Sequence, residues 1–289
     1  MAGSPHALRN GTCRATRAQA EKCSAALTDS QQSFILFAMD PHMFVAEVYR
    51  RMALRTAHTP RLPPTKERID EVADEYRQFL PRNRDAAILD IGFGDGWFMA
   101  ACLKLGYENI SGAEFAPENK PYLKGWNVKL HKIETEIGQF LAHHRSEFNF
   151  IHMSHVIEHI PKYSLLWVVD ALYQALQKEG TLFLRTPNME GPCANSSYYV
   201  TLAHEYGFSG SNLRSLLSAC GFDDIRFHAS PPPRRLRQQL GALMRWPFIQ
   251  ESRLRHRFFG VNYGGQFGAE LIATGRRGDF PPLFDEQYR

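Results

Sequence analysis

Between residues 86 and 274, apolar strand-like runs alternate with helical segments, a pattern that predicts an α/β protein built on a doubly wound parallel sheet. Two further features agree with it. Glycines at 92, 94 and 96 follow directly on the first apolar run. A turn from strand to helix there can take dihedrals that other residues avoid and leaves its backbone bare to a ligand. The composition, 44% hydrophobic and 22% charged, is that of a globular chain with a substantial core, which excludes disorder as the main state. A length of 289 residues leaves one large or two small domains open, and the periodicity has to decide.

Residues 1–30 are rich in Ala, Ser, Thr and Arg, with Glu21 the first acid. That balance superficially suits a transit peptide, but a disordered leader is the plainer expectation. Helical spacing around Phe34, Phe37, Phe44, Val48 and Met52, ended by the linker HTPRLPP, makes residues 31–64 an N-terminal helical cap. A second helix, TKERIDEVADEYRQFL, carries Ile69, Val72, Ala73, Tyr76 and Phe79 on one face until Pro81 stops it. The α/β domain is expected over 65–277. Its segments are AAILDI, a helix ended by Gly106, NISGAEF, a short helix, VKLHKI, a helix through Leu141, FNFIHMS, a helix over about 162–178, and TLFLRT after Gly180. Then come SNLRSLLSAC with Gly221 as the residue just past the helix end, DIRFHAS, a basic helical insert over 231–266 opened by PPPRRLR, FGAELIATG, and a tail over 278–289. Seven strands fit one sheet.

The five cysteines, at 13, 23, 102, 193 and 220, have no C-x-x-C spacing, and 102 and 220 fall within helical patterns. Free thiols in a reducing, cytoplasmic setting are expected. No apolar run approaches the length of a membrane span; FILFAM at 34–39 is far too short. The insert carries Arg234, Arg235, Arg237, Arg245, Arg253, Arg255 and Arg257 against the single acid Glu251. Arginine forks favour phosphate or carboxylate, so an anionic acceptor at Arg235 and its neighbours is one reading. Peripheral contact with an anionic membrane through Leu236, Leu240, Leu243, Met244, Trp246 and Phe248 is another, and a solvated cover is the bland third. Nucleic acid is not expected as a partner, because the net charge of +4 is modest and no RNA-binding module is visible.

The glycine turn points to a nucleotide-type cofactor, with Glu114 at the end of the second strand where a ribose needs an acceptor. The dinucleotide fingerprint requires its third glycine at 97, where the chain has Trp97, so a nicotinamide-dependent oxidoreductase is disfavoured. G-x-G-x-G with Asp90 two residues ahead instead resembles motif I of the class I S-adenosylmethionine (SAM) dependent methyltransferases. NFIHMSHVIEHIP is similar to that family's fourth strand and following turn, TLFLRTPN to its fifth strand and exit, and HEYGFSGSNLRSLLSACGFDDIRF to a subgroup's closing helix. The nearest pattern is the type-23 methyltransferase domain, the group that includes ubiquinone-biosynthesis O-methyltransferases. A departure is Phe93, where many members carry cysteine.

The resemblance implies a Rossmann-like, seven-stranded sheet whose last strand is antiparallel, and methyl transfer from SAM to a small molecule or glycan, most naturally at oxygen. It places Asp90, Gly92, Gly94 and Gly96 along the methionine and ribose of SAM and gives the ribose hydroxyls to Glu114. Phe115 and Ile133 would sandwich the adenine, and Ser154 and His155 would face the methionine and methyl group. An alcohol acceptor benefits from a general base; His204 is the first choice and His155 the second, with Asn188 and Tyr198 orienting the acceptor. A SAM-binding protein without catalysis would share the turn and lack the base. Residues 155–159 also match H-x-x-E-H of inverted zinc proteases, but a strand leads in, Pro161 restricts Ile160 away from the helix, and a third ligand at suitable spacing is not apparent. Some quinone-type relatives use a divalent ion, toward which Glu158 and His159 would be the contributors; no metal is assigned.

Overall fold

In the computed structural model of the chain the described residues are 62–284, apart from 118–119, 135, 192–193, 230–235 and 259–267. The leader and nearly all of the expected helical cap, together with Arg234, Arg235, Cys13, Cys23 and Cys193, lie outside them.

The strands are β1 (Ile88–Ile91), β2 (Ile110–Glu114), β3 (Lys129–Lys132), β4 (Phe148–Ser154), β5 (Leu176–Pro187), β6 (Phe222–His228) and β7 (Glu270–Arg277), in the spatial order β3-β2-β1-β4-β5-β7-β6. β1 to β5 pair in parallel, and β7 runs antiparallel to both β5 and β6. β1 is buried along its whole length, as strands covered on both faces must be, which is why its sequence is a solid apolar run broken only by Asp90.

On one face Ile88, Ile110, Phe150, Phe183 and Ile272 pack under α1 (Lys66–Tyr76) and α2 (Trp97–Lys104). On the other, Leu89, Ile91, Ile151, Met153, Leu182 and Leu184 pack under α3 (Ile137–Ala142), α4 (Leu165–Ala175) and α6 (Gly210–Ala219), which follows the short α5 (Ala194–Tyr198). Thr65 caps α1 by accepting from the Arg68 N–H, and α6 starts with a reciprocal box in which Ser209 Oγ and Asn212 Oδ1 each accept the other's backbone N–H. Gly221, at φ 86, lets the chain leave α6 as its sequence position predicts.

The chain steps outward from β1 to β2 and β3 on one side, then returns to β4 and β5 on the other. The reversal opens a crevice above the carboxyl ends of β1 and β4, where ligands of such sheets bind.

Two expectations shift. The helix expected over 162–178 is a 3-10 turn at Lys162–Ser164 followed by α4, which stops at Ala175. Leu176 is fully buried and pairs with Phe148, so sheet packing takes it from the helix. β5 then detours through Glu179, at φ 64, before Thr181 rejoins Phe150. Cys220 caps α6 rather than lying inside it.

Phe183 is central to the first face, with its ring 5.0 Å from Tyr76, 5.1 Å from Phe79 and 5.4 Å from His152. Removing a fully buried ring loses transfer energy and leaves a cavity. Phe183→Ala should lower stability by about 3–5 kcal/mol in urea denaturation.

Candidate active site

β1 ends at Ile91, and the turn that follows uses left-handed dihedrals at Gly92 (φ 68), Gly94 (φ 52) and Gly96 (φ 74). Any residue with a Cβ is strained there by roughly 1–2 kcal/mol. The three glycines differ in what surrounds them. A Cβ on Gly92 would stand 2.4 Å from Val156 Cγ2, and one on Gly96 3.0 Å from Leu123 Cδ2. A Cβ on Gly94 would meet nothing within 4 Å. Packing demands the outer two, while the middle one presents bare backbone to open space. That is the cradle a SAM molecule needs, and the turn fits it on this observation.

Glu114 closes β2 beside the turn. Its Oε1 accepts from the Phe115 N–H at 2.9 Å, and its Oε2 lies 3.6 Å from Lys120 Nζ. Lys120 is buried, with Nζ 5.0 Å from the Phe93 ring. Phe115 is partly buried against the second-face core, and Ile133 is a core residue whose N–H donates to the Glu114 carbonyl.

Asp90 carries its carboxyl to the first face, beside His152 and Tyr76. Its Oδ1 is 2.7 Å from His152 Nδ1, and His152 Nε2 is 3.0 Å from the Tyr76 hydroxyl. Phe98 stacks on the imidazole at 3.9 Å. Burial pushes the Asp90 carboxyl above the usual carboxylate range and His152 offsets part of that; Oδ2 has no hydrogen-bond partner. Burial likewise raises the Tyr76 hydroxyl. The strand register pairs Asp90 with His152, so the two side chains share one face.

At the exit of β4, Ser154 is half-buried and His155 sits at φ 55, uncommon for a residue with a side chain. His155 Nδ1 is 3.3 Å from Glu158 Oε1 and Nε2 is 3.0 Å from Glu270 Oε1. Those two carboxylates raise its pKa to about 9, so at neutral pH it is an imidazolium and holds no lone pair for a substrate proton. Arg185 lies between Glu75, which it bonds, and Glu270, 3.8 Å away.

The turn continues as a 3-10 helix, Ile157–His159. His159 donates from Nδ1 to the Ala203 carbonyl at 2.7 Å, and burial lowers its pKa. His204 donates from Nδ1 to the Tyr198 carbonyl at 2.8 Å, and its ring centroid is 4.8 Å from that of His159. Asn188 directly follows β5. It is fully buried, its amide donates to the Gly268 carbonyl, and its Oδ1 accepts from the Glu190 N–H, so it serves the turn after β5. Tyr198 ends α5, its ring 5.9 Å from His204.

The basic insert forms α7 (Leu236–Phe258), with Pro247 inside it. Leu243, Met244, Trp246 and Phe248 are all more than 60% exposed, and Arg253 and Arg257 are exposed beside them. Among the described residues no helix is long and apolar enough to cross a membrane.

His152, Glu270, Arg185 and Lys120 were not singled out by sequence reasoning. His152 becomes visible once β1 and β4 are paired in register; the other three carry no local signal. His152→Ala should cost about 3–5 kcal/mol in urea denaturation, because it strips the partner from a buried carboxylate.

Comparison with known proteins agrees with this geometry. The family model described as a methyltransferase domain, of the type-23 group, matches residues 65–226, more than half of the chain. No curated protein matches by sequence. Among solved structures, a SAM-dependent methyltransferase of Archaeoglobus fulgidus is 16% identical, with a TM-score of 0.53 over 72% of this chain and 94% of its own. A chain from the complex of the Haloferax volcanii Trm112 activator with a methyltransferase is 12% identical, TM-score 0.54, over 82% and 99%. An S-adenosylmethionine dependent methyltransferase of Mesorhizobium loti is 14% identical, TM-score 0.50, over 72% and 100%. At these identities the likeness is one of fold. The family match, laid over this strand order with a glycine cradle at its switch point, makes the chain a member of the type-23 methyltransferase-domain family, an enzyme that draws its methyl group from SAM.

Proposed function

We propose that this enzyme methylates a hydroxyl oxygen of a small-molecule or glycan acceptor, and that the acceptor's proton leaves by way of His204. The observation that carries the reading is the tautomer of His204. Its Nδ1 donates to the Tyr198 carbonyl at 2.8 Å, so in the neutral ring the lone pair sits on Nε2. His155, held as a cation by Glu158 and Glu270, is left an electrostatic and positioning role.

Bound SAM supplies an electrophilic methyl group on sulfur. The chain's own residues hold and orient. Gly92, Gly94 and Gly96 leave backbone open for the methionine and ribose, Glu114 takes the ribose hydroxyls in place of Lys120, and Phe115 and Ser154 border the adenine and methionine. Asp90 and Ile133 brace the strand ends below. Fixing donor and acceptor in line can supply about 7–11 kcal/mol of the barrier. The order of the glycine turn, the E-H pair, the P-N exit and the closing G-F supports placement near the ubiquinone-biosynthesis O-methyltransferases. An anionic acceptor, or rest on an anionic membrane, is supported by the exposed arginines and apolar side chains of α7. The buried free thiols Cys102 and Cys220, the latter pushed up to about 12 by burial, support a reducing, cytoplasmic setting.

Transfer of labelled methyl from SAM should be screened over phenols and phosphorylated glycans. On the acceptor found, His204→Ala should lower kcat by about 10²–10⁴ with SAM affinity unchanged. An alkali-stable ether product is expected; a methylamine product, or an unimpaired His204→Ala enzyme, would overturn the oxygen reading.

A further inference from the structure

We infer that Glu158, His159 and His204 form a binding site for one divalent transition-metal ion of the zinc type, on the acceptor side of the methyl-transfer crevice. Each offers one ligand atom, and the three atoms lie within 4.8 Å of one another. Zinc bonds of about 2.0–2.2 Å in a tetrahedron need ligand atoms about 3.4 Å apart, a contraction within reach of side-chain rotation.

Three observations favour an ion over a chance cluster. First, both histidines are set in the same tautomer by the same device. His159 Nδ1 donates to the Ala203 carbonyl at 2.7 Å and His204 Nδ1 to the Tyr198 carbonyl at 2.8 Å, so both neutral rings keep their lone pair on Nε2. A backbone carbonyl on the far nitrogen is the usual support of a metal-bound histidine, orienting the ring and raising its basicity. Second, Glu158 is 1% exposed, its Oε2 accepts from the Thr186 hydroxyl at 3.0 Å, and its Oε1 meets no donor in hydrogen-bond geometry. His155 Nδ1 approaches Oε1 at 3.3 Å as an ion pair, while its Nε2 meets Glu270. Third, the convergence is built into the backbone. The Glu205 and Tyr206 N–H groups both donate to the Glu158 carbonyl, at 2.8 and 3.1 Å, which ties the 203–206 segment to the 157–159 turn without a ligand.

Two imidazoles and one carboxylate suit zinc and its first-row neighbours better than magnesium or calcium, which take oxygen ligands. Three protein ligands leave a coordination position open, as catalytic rather than structural sites do. This inference deepens the methyl-transfer reading and rests on it for its chemistry. An acceptor hydroxyl entering the open position becomes more acidic, and its proton passes to solvent. The oxygen lone pair forms the bond to the methyl carbon as the carbon–sulfur bond breaks, its electron pair returning to sulfur. With the ion bound, the Nε2 lone pair of His204 is committed to the metal, so the ion takes over the proton-removing role given to that residue above, and His204→Ala still lowers kcat, through loss of the ion.

The test is metal uptake by the full-length protein. After stripping with EDTA it is dialysed against Zn²⁺, bound metal is counted by atomic emission, and SAM affinity is measured on the same samples. One equivalent of zinc is expected, retained against a hundredfold excess of Mg²⁺, with affinity at least tenfold lower in His159→Ala and in His204→Ala. Cobalt absorption of the wild type gives a second readout that needs no variant, and a four- or five-coordinate spectrum is expected. No stoichiometric uptake, uptake unchanged in both variants, or a six-coordinate all-oxygen cobalt spectrum would overturn the site. SAM binding without zinc would sink this inference alone, and zinc without SAM binding would sink the methyl-transfer reading instead.

Discussion

Parallel pairing of β1 with β4 is the constraint on which the site depends. The register sets Asp90 opposite His152 and carries both strands to the same edge, so that their exit turns meet. Val156, just past β4, lies where a Cβ on Gly92 would be. The glycine cradle therefore owes its shape to the neighbouring strand as well as to its own dihedrals. Beneath it, the chain of bonds from Asp90 through His152 to Tyr76 fixes β1 to β4 and to α1 on the first face. A buried polar network of this kind is costly unless satisfied and rigid once it is.

A second network governs the edge above β4, β5 and β7. Glu158, His155, Glu270, Arg185 and Glu75 alternate in charge from the 157–159 turn to α1. Its consequence is a division of labour between histidines of one short segment. His155 is charged by its two carboxylates, whereas His159 and His204 are turned by backbone carbonyls so that each directs an Nε2 lone pair away from its anchoring bond.

The strands and most helices were legible because each carries a local period, 2 or 3.6, and the glycine turn because left-handed dihedrals select glycine at 92, 94 and 96. The same logic located Gly221 at the end of α6. What was not legible depends on pairings remote in sequence. His152 reads as one more residue of an apolar strand until Asp90 is placed opposite it. Glu270 reaches His155 only because β7 inserts antiparallel next to β5. A third partner for Glu158 and His159 escaped spacing rules because His204 arrives through loop hydrogen bonds rather than along one helix. Leu176 looked helical in sequence, and burial opposite Phe148 decided otherwise.

The central claim is that the bare backbone around Gly94 is the seat of SAM. Calorimetric titration of the full chain with SAM, S-adenosylhomocysteine and NAD, on the wild type and on Gly94→Trp, tests it most directly. Micromolar binding of the first two, no binding of NAD and loss of both in the variant is the predicted result. Absence of SAM binding to the wild type, or binding undiminished with an indole filling the cradle, would contradict it.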